Sequence, residues 1–178
     1  MYRDNSLIPS EAIRLLALGI LATGEASYAQ LAGEVRHFVS HISGPSLDLV
    51  APPLELLKVE GLVESTGGEG ENEVLSLSAA GRTELERLLS ANVRAPVNDI
   101  NKLIIALKMR FLHLLDPAEQ RLQAEALAEL SERELARLTE LRAHHARSAG
   151  HLASWLDQDI DQVAKRLDWF RVLLARLG

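Results

Sequence analysis

The C-terminal end of the chain carries a stripe that severely limits how it can fold. Leu152, Leu156, Ile160, Val163, Leu167, Phe170, Leu174 and Leu177 recur at steps of four, four, three, four, three, four and three. That spacing is close to a heptad repeat and puts all of them along one side of a helix. A fully buried Leu or Phe contributes roughly 1.5 to 3 kcal/mol, so leaving the stripe in water would cost more than a domain's net stability of about 5 to 15 kcal/mol. Something must cover it, either a second copy of the chain or helices of the same chain. A second segment makes a similar demand. Ile100, Leu103, Ile104, Ile105, Leu107, Phe111, Leu114 and Leu115 are apolar almost all round their helix, which needs neighbours on several sides. A homodimer interface is therefore expected at Leu103, Leu107, Phe111, Leu152, Leu156, Ile160, Val163, Leu167, Phe170 and Leu174.

The rest of the sequence fits a globular protein of 178 residues, with 47% hydrophobic and 25% charged residues. It contains no cysteine, which excludes disulfides, thiolate metal sites and cysteine nucleophiles and suits a reducing cytosol. The polar start, Met1-Tyr2-Arg3-Asp4-Asn5, lacks the order of a signal peptide. The apolar run Leu15 to Ala22 is far shorter than the ~20 residues needed to span a membrane. A soluble cytoplasmic protein with no membrane contact is expected.

Caps and breakers divide the chain. Ser10 reads as the N-cap of a first helix that reaches Thr23, with Gly24 as a left-handed stop. A second helix begins near Ser27, carries Leu31, Val35, Phe38, Val39 and Ile42 on one face, and ends before Ser43-Gly44-Pro45. Pro52-Pro53 and Gly61 confine a short third helix. Leu62 to Ser65 and Val74 to Leu77 read as strands, joined by the turn-forming Gly67-Gly68-Glu69-Gly70-Glu71-Asn72. Ser78 then caps a fourth helix from Ala79 to about Ala91. Past Pro96, Asp116-Pro117-Ala118-Glu119 restarts a helix that should reach about Arg147, where Ser148-Ala149-Gly150 breaks it. The expected fold is mostly α with a small β-hairpin. An N-terminal winged helix-turn-helix occupies residues 1–94 and a C-terminal long-helix dimerisation domain residues 95–178.

Several of these segments together resemble the PadR family of bacterial regulators along nearly the whole chain. Ala12-Ile13-Arg14-Leu15-Leu16-Ala17-Leu18-Gly19-Ile20-Leu21 is similar to the family's first helix, and Gly24 to Leu31, with Ser27-Tyr28, to its Gly-Tyr approach to helix two. Pro52 to Val63 is similar to its third helix and following strand. Leu77-Ser78-Ala79-Ala80-Gly81-Arg82 resembles the Leu-Thr-x-x-Gly-Arg that closes the wing. Pro96 to Pro117 resembles the segment leading to the dimer helices, and Trp169 falls where the last helix usually carries a Trp. The resemblance implies a dimeric DNA-binding repressor or activator, of a kind sometimes responsive to small aromatic or phenolic ligands. It implies DNA contacts through the first helix, Tyr28, Arg36 and the residues around Lys58.

The DNA-facing positions depart from that pattern. The family's Ser-Leu-Tyr-Pro is Leu49-Val50-Ala51-Pro52 here, and Glu73 stands where the wing has an Arg, preceded by Glu69 and Glu71. Residues 1–92 hold six Lys and Arg against 13 Asp and Glu, a formal charge of −7. DNA affinity draws mainly on cations displacing counterions at phosphates, so this half forfeits that contribution. His37 and His41 beside Arg36 are read as its one positive patch. If Leu54 and Leu57 face the core, Leu56, Val59, Glu55 and Glu60 turn outward, a surface better suited to a protein than to a major groove, unless Leu56 and Val59 pack on the hairpin or on a neighbouring helix. A second reading follows, in which Leu56, Val59, Glu69, Glu71 and Glu73 bind a protein partner and DNA reading has been lost.

Other constellations carry less. His37 and His41 stand four apart, but no cysteine or well-placed acid completes a recognised ligand set, so no metal centre is expected. His144-His145 near a helix end suits the helix dipole. Gly67-Gly68-Glu69-Gly70 lacks the Lys and Ser/Thr of a phosphate loop. Trp155 and Trp169 read as core aromatics, with a ligand pocket as the alternative. No nucleophile with its base, no paired carboxylates and no cofactor loop appears, so neither catalysis nor a cofactor is expected.

Overall fold

A computed structural model describes residues 7–43, 54–93, 99–147 and 149–178. They form two compact units, the first reaching Leu115 and the second running from Asp116 to Gly178.

The first unit begins with α1 (Pro9–Thr23). Its N-cap is Ile8 and not Ser10, because Pro9 takes the first helical position and the Glu11 carboxylate accepts the Ile8 amide at 3.1 Å. Gly24 is extended, with φ 160°, and not left-handed. A two-residue strand, β1 (Ala26–Ser27), comes next and is too short to leave a periodic signal. The Ser27 hydroxyl accepts the Gln30 amide while the Gln30 side chain accepts the Ser27 amide, a reciprocal cap that starts α2 (Tyr28–Ser43). The expected breaks at Gly44-Pro45 and Pro52-Pro53, and the substituted Leu49 and Ala51, lie outside the described residues.

Next comes α3 (Leu54–Val59), closed by Gly61 in the left-handed region at φ +72° as its spacing predicts. The wing consists of β2 (Val63–Gly67), a single 3-10 turn at Gly70–Asn72, and β3 (Val74–Leu77). β3 is central: β2 pairs antiparallel with it on one side and β1 on the other, so the expected hairpin is part of a three-stranded sheet. α4 (Ala79–Leu89) starts from Ser78, whose hydroxyl accepts the Gly81 amide at 2.9 Å and donates to the Gly61 carbonyl at 2.6 Å. Gly81 is the steric key to this junction. A Cβ there would overlap the Leu62 carbonyl oxygen, so the Gly of the Leu-Ser-x-x-Gly-Arg segment lets the helix rest against the strand.

α5 (Asp99–Phe111) belongs to this unit, which therefore extends past residue 94. It packs against α1 and α2, where Leu103, Ile104 and Leu107 are fully buried. The Phe111 ring lies over Gly19 of α1, at a point where a Cβ would come within 2.5 Å of the ring. The buried Lys108 donates to the Leu89 carbonyl at the end of α4, where a cation meets the negative end of the helix dipole.

The second unit is an antiparallel pair of helices. α6 (Pro117–His144) is capped by Asp116, whose carboxylate accepts the Glu119 amide at 2.9 Å with Pro117 in the first turn, as the sequence predicts. Gly150 at φ +93° lies in the turn to α7 (Leu152–Leu177). Leu156 and Val163 of α7 join Leu138, Leu135 and Ile160 in one cluster, and Leu167 and Phe170 are also buried. Arg142 with Asp157 and Arg171 with Glu132 bridge the two helices at 2.7 and 3.1 Å. Among the described residues, no helix is long and apolar enough to cross a membrane.

Candidate nucleic-acid interface

The outer face of α3 and the turn of the wing are both open to solvent. Leu57 is buried, while Leu56 and Val59 are 43% and 81% exposed. Both turn outward, Val59 more fully than Leu56. Glu69 and Glu71 are exposed beside the wing's 3-10 turn. Glu73 is directed differently: its carboxylate lies 2.5 Å from Lys58 Nζ, tying the wing base to α3. The hydrogen bond from Lys58, followed by one from Ser65, holds the Glu73 carboxyl below its ordinary value of 4.5. Tyr28 is half-buried at the same edge, and its amide donates to the Glu73 carbonyl at 2.9 Å.

Other cations of this unit are also engaged. Arg14 pairs with Glu60 at 2.9 Å, and Arg87 with Glu84 at 2.7 Å and Glu11 at 3.2 Å. The Arg87 guanidinium, assisted by Arg14, holds Glu84 below the usual carboxylate range. Among the described residues up to Val93, Arg36 and Arg82 are the cations without an acidic partner, and both are exposed. Arg82 was missed by the sequence reading even though it ends the most specific family-like segment, because its exposure depends on which way the first turn of α4 faces. His37 and His41 lie one turn apart on the exposed side of α2, with ring centroids 4.2 Å apart.

The residues assigned to a dimer interface divide differently from the expectation. Leu103, Leu107 and Phe111 are filled by the first unit's own core, and Leu156, Val163, Leu167 and Phe170 are buried within the chain. Ile160 packs on the α6–α7 cluster and Leu174 is half-buried. Leu152 alone of the set is exposed, at 42%. Trp155 and Trp169, expected in the core, are 65% and 52% exposed, and Val172 is 51% exposed. Helix-hairpin closure satisfies the heptad stripe and moves the unpartnered apolar surface to another face of α7. Sequence periodicity alone finds the stripe and not its partner.

Comparison with known proteins gives the class. A family model described as "Putative AphA-like transcriptional regulator" matches residues 2–174. Among curated proteins, none is significantly similar to the chain. Among solved structures, Bacillus subtilis PadR in complex with operator DNA is similar at 18% identity and TM-score 0.39, covering 93% of this chain and 99% of that one. The PadR-like transcriptional regulator BC1756 from Bacillus cereus is similar at 19% identity and TM-score 0.39, covering 93% and 97%. The chain belongs to the AphA-like family of transcriptional regulators, in keeping with the PadR-type resemblance of its sequence.

Proposed function

We propose that this chain is a cytoplasmic homodimeric repressor whose winged-helix unit binds operator DNA through α3, the wing base and the cations Arg36 and Arg82, with Tyr28, His37 and His41 at the edge. The observation that carries this reading is the open outer face of α3 beside a three-stranded wing, in a chain of a transcriptional-regulator family. A gel shift at low salt with fragments of the source genome tests it. A shift at submicromolar protein that weakens in Arg36→Ala and Arg82→Ala is expected; no shift of any fragment below micromolar protein overturns it.

The second copy packs on the exposed face of α7. Trp155 and Trp169 lie seven residues either side of Gln162, and Leu152 and Val172 lie ten residues either side. An antiparallel pairing centred on Gln162 sets each Trp155 against Trp169 of the partner subunit and Asp159 against Lys165 of the partner subunit. The self-complementary order supports a two-fold contact.

One observation favours a different ligand. Val59 at 81% exposure, next to Leu56 and an acid-rich wing, suits a protein surface better than phosphate. In that reading gel shifts stay silent, and Val59→Ser abolishes capture of a cellular partner by the purified chain.

A further inference from the structure

Four residues apart on an exposed helix face, two imidazoles can close on one ion, and the local hydrogen bonds orient one of them for it. His41 Nδ1 lies 2.8 Å from the His37 carbonyl oxygen, an acceptor, so this nitrogen carries the proton and donates. The Ser40 hydroxyl donates to the same carbonyl at 3.0 Å and lies 3.2 Å from that nitrogen. With Nδ1 protonated, the lone pair of His41 sits on Nε2, and the ring is oriented as the outer hydrogen bonds of metal-bound histidines orient theirs. The two rings are tilted 37° to each other, and both residues are exposed. Glu34, one turn earlier, is turned towards Arg110 at 3.5 Å, and no group of three or more ligand-type side chains gathers among the described residues.

We propose that His37 and His41 form a two-imidazole chelate for a borderline divalent transition cation, binding Cu2+ most tightly and Ni2+ or Zn2+ less so. Imidazole nitrogen suits these ions, and the order follows their intrinsic affinities. Two protein ligands leave the remaining positions to water. The ion adds two positive charges to a half of the chain whose formal charge is −7. This site stands on the geometry of α2 and does not depend on DNA binding.

Titration of the full chain with Cu2+, followed by its ligand-field absorption and by calorimetry in a non-coordinating buffer, tests the chelate. One ion per chain is expected, with micromolar affinity. His37→Ala and His41→Ala should each weaken binding by about tenfold or more, while a His144→Ala, His145→Ala variant binds as the wild type does. Both α2 side chains are exposed, so the variants should keep the wild-type thermal unfolding without metal. Wild-type affinity in either α2 variant, or no saturable binding at all, overturns the proposal.

Discussion

The Lys58 ammonium of α3 lies 2.5 Å from the Glu73 carboxylate at the wing base, so the only lysine among the first 92 residues is neutralised where a DNA contact was expected. The pair is a clasp between the helix and the wing, and it is solvent-exposed enough that its worth to folding is small. Its effect falls on the charge available to a ligand. Glu73→Gln should leave stability close to that of the wild type and tighten DNA binding at low salt. The slope of log affinity against log salt should steepen by about one counterion. Gel shifts over a salt series read both.

Acid should remove a different ion pair's contribution. Glu84 is held below its ordinary value of 4.5, chiefly by the Arg87 hydrogen bond. A depressed carboxylate stabilises the fold above its unfolded-state value, and that contribution is lost as pH falls through the folded-state value. Wild type should therefore exceed Glu84→Gln by about 1 kcal/mol at neutral pH, and the two urea midpoints should converge as pH drops below 4.5.

The junction of the wing and α4 gives a larger effect. Ser78→Ala removes the cap and leaves the Gly61 carbonyl without its donor, a loss of about 1 to 2 kcal/mol. Gly81→Ala forces a methyl into the Leu62 carbonyl and should cost more than Ser78→Ala, although alanine is the better helix former. Chemical denaturation of both variants gives the ranking.

The close approach of α1 to α5 tests whether α5 belongs with the winged helix. Gly19→Ala presses on the Phe111 ring and should cost about 1 to 3 kcal/mol, and Phe111→Ala about 3 to 5 kcal/mol. If α5 folds with the first unit, hydrogen exchange in α1 should accelerate in both variants. Unchanged α1 protection would separate α5 from this core.

Self-association should depend on the exposed indoles. A Trp155→Ala, Trp169→Ala double variant keeps the buried α6–α7 cluster intact and should sediment as a monomer where the wild type sediments as a dimer. Identical sedimentation would place the dimer contact elsewhere.

Much of this architecture was legible from local chemistry. Ser78 at the start of α4, Asp116-Pro117 at the start of α6 and Gly61 after α3 each satisfy backbone groups within a few residues, so the sequence predicts them directly. Ile8 replaced Ser10 as the first cap because two capping patterns overlapped, and Pro9 decided between them. β1 was not legible, since two residues carry no alternation and pair only through the distant β3. The candidate site was legible at Glu73 by position and at Val59 by helical phase. Long-range pairing hid the rest: the Lys58 clasp and the enclosure of Leu103, Leu107 and Phe111 depend on residues far along the chain.

The steric exclusion at Gly81 has a consequence for redesign. The atoms that hold helix to strand are a missing side chain, two backbone carbonyls and one serine hydroxyl, and none of them faces outward at α3 or at the wing tip. The residues that fix this junction are thus distinct from the exposed Leu56, Val59, Glu69 and Glu71. A new specificity can be grafted onto positions 56, 59 and 69–71 without renegotiating the scaffold beneath them.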